Sequence, residues 1–412
     1  MKKILFCFAL LVAVTACKWG TDALATKYKL TYGKWRGVLK TAVGGDLPFE
    51  FALKMEGDSS LIFTLFNGGE NIETRDFEIG GDSLIVQLPV YESVLIAKIV
   101  GKNYDTLRGY WIKTKFDADS KLPFSAVAGG KYKFAAKSRT MPASIAGLWA
   151  TTFAPNTADA EAAIGNFSQS GIELSGTFLT PSGDYRYLTG IADGDSVFLS
   201  GFDGASAVLV KAKHRADSLF GDLYTAKSKT SFVAKFDANA KLPNANDLTF
   251  LKKGYNSINF SYPNENGKTI SLSDSNYKNK VVIVQILGTW CHNCSDETAY
   301  LANLSKKNKN IAIVGLAFEA TNMPEKAADN IKRLKKRYNV GYEILHAGAP
   351  TPESLAKALP QIDKIMSYPT TIVLNKKGAV CRIHTGFSGP STGAYYTQYC
   401  EEFERFIATV SE

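Results

Sequence analysis

Gly33-Lys34-Trp35 returns as Gly147-Leu148-Trp149, and Gly81-Asp82-Ser83 returns as Gly194-Asp195-Ser196. Asp105-Thr106-Leu107-Arg108-Gly109 is matched by Asp217-Ser218-Leu219-Phe220-Gly221. Lys115-Phe116-Asp117-Ala118 with Lys121-Leu122-Pro123 is matched by Lys235-Phe236-Asp237-Ala238 with Lys241-Leu242-Pro243. Chance matches do not stay collinear at a near-constant offset of about 115 residues, so a duplicated unit is expected, too long for a solenoid repeat and right for a small domain or half of one. Inside each unit, short alternating runs are broken by Gly, Asn and Asp. Phe49 to Leu53, Leu61 to Phe66, Leu84 to Leu88 and Val94 to Ile99 form one series; Ile172 to Leu179, Tyr185 to Ile191, Val197 to Leu199 and Ala207 to Ala212 form the other. Such spacing reads as antiparallel strands joined by tight turns. Apart from a weak Ala-rich patch at Thr157 to Ile164, no helix-length periodicity occurs before about residue 290. The expected N-terminal half is therefore all-β, with units over 28–140 and 141–243, built as two barrels or as one sandwich of two half-repeats.

The texture changes after Pro243-Asn244-Ala245-Asn246-Asp247, and 244–256 reads as a linker. Val281 to Leu287 is a continuous apolar run suited to a buried parallel strand, Ser295 to Leu304 looks helical, and Ile311 to Phe318 is a second buried strand. Helix follows at Glu325 to Tyr338, a short strand at Tyr342 to Leu345, and Thr351-Pro352 offers an N-cap and an N1 proline for another helix. Thr370 to Leu374 and Val380 to Thr385 alternate as a hairpin across Asn375-Lys376-Lys377-Gly378, and Tyr395 to Val410 is an amphipathic helix. Over 257–412 this predicts a three-layer α/β domain.

A chain of 412 residues allows two or three domains at about 150 residues each, and 45% apolar with 21% charged residues excludes a mainly disordered one. The +9 surplus is spread along the chain with no Arg-rich run, which argues against nucleic-acid binding. Lys2 and Lys3 precede an apolar stretch from Ile4 to Val14, long enough for a secretory signal and too short to span a bilayer. It ends Val14-Thr15-Ala16-Cys17, which resembles the bacterial lipobox. That resemblance implies a signal peptide over 1–16, acylation of Cys17, a tether over 17–27, and a protein held to a membrane surface by its lipid. Lys18 after the cysteine favours the outer membrane, facing the periplasm.

Trp290-Cys291-His292-Asn293-Cys294 follows the first buried strand and opens a helix. A thiol at a helix N-terminus meets unpaired N–H groups and the positive end of the dipole, which favour thiolate; a second thiol one turn on can resolve a mixed disulfide. A zinc site needs two more ligands, and no second Cys-x-x-Cys or close His pair exists. A static structural bridge across two residues would be easily reduced.

Strand, Trp-Cys-x-x-Cys, helix, then Tyr368-Pro369-Thr370-Thr371 leading into the hairpin resemble a thioredoxin fold. The preamble Phe260 to Leu272 and the segment before Pro369 resemble the TlpA/ResA-like thiol-disulfide oxidoreductases of bacterial envelopes, including a lipoprotein subgroup with β-rich N-terminal regions. The resemblance covers 257–412. It implies that Cys291 is the nucleophile and Cys294 the resolving thiol, that Pro369 is a cis-proline facing them, that the backbone of Tyr368 pairs with an extended substrate, and that Trp290 shields the pair. It also implies no metal and no cofactor, with envelope proteins bearing disulfides and an upstream thiol donor as partners.

Two positions depart from thioredoxin. The acid six residues before the first cysteine is replaced by Gln285, which takes no proton. Glu297 stands three residues after Cys294, where ResA-like members carry a glutamate; positions i and i+3 share a helix face, so it is the candidate proton carrier, against the alternative of a solvated first-turn acid. His292 replaces the commoner proline; charged, it would favour thiolate, and exposed and neutral it would not. Cys381 and Cys400 either pair or stay as free thiols, and His214, His346 and His384 show no ligand spacing. A peroxiredoxin would need threonine where Gly288 stands, and a passive binding module would not need both thiols. The reading is a membrane-anchored oxidoreductase that reduces protein disulfides.

Overall fold

The computed structural model describes residues 30–412 except 58–59, 90–91 and 116–117. Cys17, the signal segment, the whole tether and part of the Lys115–Ala118 repeat motif lie outside the described residues. Strands alternating in burial build two nine-stranded antiparallel sheets. In the first, Gly33–Lys40 lies between Asp46–Glu56 and Ala118–Ala128, and the sheet's two edges are Glu70–Thr74 and Phe77–Gly80. In the second, Gly147–Phe153 lies between Glu161–Ser170 and Lys229–Phe236, and pairing continues round the ring until the sheet closes. The sequence left barrels and sandwich open; the second sheet is a closed barrel.

Trp35 and Trp149 occupy matching places on these first strands. Each is buried, and each indole donates to the carbonyl four residues earlier, Trp35 to Thr31 at 3.1 Å and Trp149 to Ile145 at 2.9 Å. The two sheets do not stand apart. Phe202 of the second packs 4.6 Å from the Phe49 ring and edge-on to Trp111 at 5.2 Å, while Ser200 donates to the Pro48 carbonyl and Ser93 to the Gly204 carbonyl, both at 2.6 Å.

Two expectations need correction here. The second half of the Ala-rich patch is strand: Ala162 and Ala163 pair with Thr152 and Thr151, because cross-strand pairing outweighs alanine's helical preference, while 157–160 form a turn. The run expected from Tyr185 becomes strand only at Leu188; Tyr185 donates its N–H to the Phe178 carbonyl at 3.0 Å, and Arg186, at φ +54°, breaks the extended run.

The C-terminal sheet orders its strands Glu343–Gly348, Ile311–Phe318, Val281–Leu287, Thr370–Leu374, Val380–Thr385, the first three parallel and the last two antiparallel. Every residue of Val281–Leu287 is buried because both faces are covered. Val281 and Ile283 face a core with α1 (His292–Lys307), α2 (Pro324–Tyr338) and α4 (Ala394–Ser411), while Val282 and Val284 face Phe260, Ile270 and α3 (Pro352–Ala358). This is a thioredoxin-like fold. The 244–256 segment packs on it: Leu251 bridges to Ile362, and the Thr249 and Thr385 hydroxyls are 2.8 Å apart.

Candidate redox site

Cys291 follows the turn after the central strand and is the N-cap of α1, its Sγ accepting from the Cys294 N–H at 3.2 Å. That bond and the helix dipole stabilise negative charge on this sulfur. Cys291 and Cys294 form a disulfide with Cα atoms 5.3 Å apart, and they are 8% and 1% exposed, so Cys291 is the outer sulfur. The Tyr368–Pro369 peptide is cis, and the Tyr368 carbonyl oxygen lies 3.6 Å from Cys291 Sγ. Trp290 meets the Tyr368 ring edge-on at 5.3 Å and donates from its indole to the Phe318 carbonyl at 2.9 Å.

Glu297 is fully buried, so the solvated-acid alternative is excluded. Its carboxylate accepts from Gln285 Nε2 at 2.9 Å and from the Thr371 hydroxyl at 2.7 Å. Burial pushes its carboxyl up to about 7, against those two bonds, which favour the anion. Gln285 Nε2 also donates to the Cys294 carbonyl at 3.2 Å, and its Oε1 accepts from Thr298 at 3.1 Å. The amide that replaced the expected acid therefore connects the acid to the resolving cysteine's backbone.

Glu319 was not singled out in the sequence. It follows the Ile311–Phe318 strand, is fully buried, and accepts from the Thr289 N–H at 2.9 Å and the Thr289 hydroxyl at 2.6 Å, so it anchors the turn that carries Trp290 and Cys291. Desolvation raises its carboxyl. No local spacing signals it, because the contact spans two strands.

His292 is neither exposed nor turned to the sulfurs. Its Nε2 is 3.2 Å from the Asp184 carbonyl, which only accepts, so Nε2 carries the hydrogen, and Nδ1 lies 3.1 Å from the Ser206 hydroxyl. Burial lowers its pKa and keeps the ring neutral, with Asp203 opposing. Cys381 and Cys400 are free thiols, Cys381 exposed and its Sγ 3.2 Å from the Val373 carbonyl. The pairing considered for them is not formed. His384 bonds Asn246, His214 packs on Trp149, and among the described residues no cluster of three or more His, Cys, Asp or Glu is arranged to hold a metal.

Comparison with known proteins matches these elements. The Redoxin family model covers residues 237–397. The thiol-disulfide oxidoreductase ResA of Bacillus subtilis is 30% identical over 136 residues, covering 33% of this chain and 69% of ResA. The chain belongs to the ResA-like thiol-disulfide oxidoreductases. The thioredoxin-like protein YneN of the same organism is 28% identical over 137 residues, covering 33% of this chain and 73% of YneN. Among solved structures, a putative thiol:disulfide interchange protein DsbE from Chlorobium tepidum is similar at 19% identity and TM-score 0.30, over 40% of this chain and all of that one. A Bacteroides fragilis thiol-disulfide oxidoreductase is similar at 20% identity and TM-score 0.27, over 35% of this chain and 99% of that one. This ResA-like chain is thus a thiol-disulfide oxidoreductase with a long all-β region before its redox domain.

Proposed function

We propose that this ResA-like protein reduces protein disulfides in the bacterial cell envelope, held to a membrane through lipid on Cys17. The observation that carries the redox part is the capping of α1 by Cys291, which makes the outer sulfur the better anion. The Cys291 thiolate attacks one sulfur of a substrate disulfide, forming a mixed disulfide and expelling the other substrate sulfur as thiolate. Glu297 takes the Cys294 proton, and Cys294 thiolate then attacks Cys291 Sγ. That step releases the second substrate sulfur as thiolate, which takes up a proton, and leaves the Cys291–Cys294 disulfide. A thiol donor outside this chain returns the two electrons. The Tyr368 backbone next to Pro369 pairs with the extended substrate, and Trp290 shields the sulfurs from one side.

The test is turnover of a model protein disulfide by the Cys17→Ser chain with a dithiol donor. Reduction that is lost in Cys291→Ser supports the reading. No reduction, or full activity in Cys291→Ser, rejects it.

A further inference from the structure

Arg186 belongs to the second barrel and lies more than a hundred residues from the cysteines in sequence, yet it reaches the redox helix. Its guanidinium holds three carboxylates: Glu70 of the first sheet at 2.9 Å, Asp203 of the second barrel at 2.9 Å, and Asp296 of α1 at 3.0 Å. Arg186 is 5% exposed and has a φ of +54°, a region in which a non-glycine residue persists only when its surroundings enforce it. Those surroundings are visible. The Arg186 N–H donates to the Asp184 carboxylate at 2.6 Å, and that carboxylate also accepts from the Gly389 N–H at 2.7 Å and the Ser391 hydroxyl at 2.8 Å of the redox domain.

The same turn reaches the residues between the cysteines. Its Asp184 carbonyl fixes His292 Nε2, and Ser206 meets Nδ1 from the neighbouring turn. Gly183, at φ +144°, packs so closely on Asn293 that a Cβ would collide with the Asn293 amide. Ser367, beside Tyr368, donates to the Ser182 carbonyl at 3.0 Å.

We propose that Arg186 is a positioning residue of the dithiol: by binding Glu70, Asp203 and Asp296 at once, it sets the charge and seating of the first turns of α1 and makes the β-rich half part of the redox site. This deepens the dithiol reading and rests on it. Arg186 supplies one positive charge to four carboxylates, counting Asp184, so the cluster carries excess negative charge beside a helix start that must hold a thiolate. Removing the cation makes that thiolate less favourable, and removing a carboxylate makes it more so. Burial pushes Asp296 up to about 7, against Arg186 and with Asp184, Glu70 and Asp203. It is therefore charged above that pH. The other titratable groups facing it are Tyr187 of the barrel, Tyr338 of α2 and Tyr396 of α4. Glu297 and Glu319 lie on the sheet side of the site, bound to Gln285 and Thr289.

The experiment measures the pH profile of Cys291 alkylation by iodoacetamide in the reduced Cys17→Ser chain, with adducts mapped by mass spectrometry and folding checked by circular dichroism. Arg186→Met should raise the midpoint by about half a pH unit or more, and Arg186→Lys should return most of it. Asp296→Asn should lower the midpoint where the thiol titrates above the Asp296 carboxyl. Should Arg186→Met not fold, Asp296→Asn decides alone, since it keeps the cation and the side-chain shape. A folded Arg186→Met protein with an unmoved midpoint overturns the assignment of Arg186, as does a folded Asp296→Asn protein with an unmoved midpoint where the thiol titrates above the Asp296 carboxyl. Absence of alkylation at Cys291 in the parent protein rejects instead the dithiol reading beneath it.

Discussion

Gln285 and Glu297 are joined by a 2.9 Å hydrogen bond in the interior of the redox domain, and the same Gln285 amide nitrogen holds the Cys294 carbonyl. A neutral amide can only support the carboxylate here, whereas an acid in its place would compete for the same proton. The titratable function is thereby concentrated on Glu297.

Replacing Glu297 with Gln keeps the shape and removes the proton. The variant should keep Cys291 alkylation near normal and slow the resolving step, so that mixed disulfide accumulates; rapid quench with mass spectrometry measures it. Resolution at the parental rate across pH 6 to 9 would rule the carboxylate out as the proton carrier.

The same burial has a consequence for stability. A carboxyl raised from 4.5 to about 7 binds more protons folded than unfolded between those values, so its contribution falls as pH rises through that window. The parent should lose up to about 3 kcal/mol from this group between pH 4.5 and pH 7, and Glu297→Gln should not. Urea unfolding at pH 5 and pH 8 compares them. Equal pH dependence in both proteins would contradict the shift.

Phe202 carries the joint between the sheets. Truncation to Ala empties the space between Phe49 and Trp111 and should cost about 3 to 5 kcal/mol, with both β-rich sheets melting at lower temperature together. Calorimetry checks this: loss of only the second barrel would show that the sheets unfold independently.

Much of the C-terminal domain was legible because its signals are local. The apolar run Val281–Leu287, the Cys-x-x-Cys and the Thr351-Pro352 start each carry their structure within a few residues, and the resemblance supplied the cis-proline. Barrel closure was not legible, since it depends on Gly147–Phe153 meeting Lys229–Phe236 across the whole unit. We infer from the sequence repeat, and from the matching places of Trp35 and Trp149, that the two sheets descend from one duplicated unit. The burial of Glu297 was hidden because an acid in a helix's early turns is ordinarily solvated, and only Thr371 and Gln285, from two other strands, make a buried place for it. Arg186 was hidden more deeply: it lay inside an apparent strand, and its partners come from three parts of the chain.

The anchoring expectation turns on Cys17; among the described residues no helix is long and apolar enough to cross a membrane. A charged start, a short apolar stretch and small residues before a cysteine predict cleavage before Cys17 and acylation of its thiol. Two or more acyl chains bury enough methylenes, at about 0.8 kcal/mol each, to hold a folded domain at a bilayer. Expressed in a bacterial host, the protein should fractionate with membranes, and mass spectrometry of its mature N-terminus should show a lipid-modified cysteine. The Cys17→Ser form should appear in the soluble fraction or keep its signal segment, with redox activity unchanged in either case because the dithiol is elsewhere. A parent protein recovered unmodified and soluble, or a mature chain that begins at another residue, would remove the lipid anchor from the reading while leaving Cys291 and Cys294 untouched.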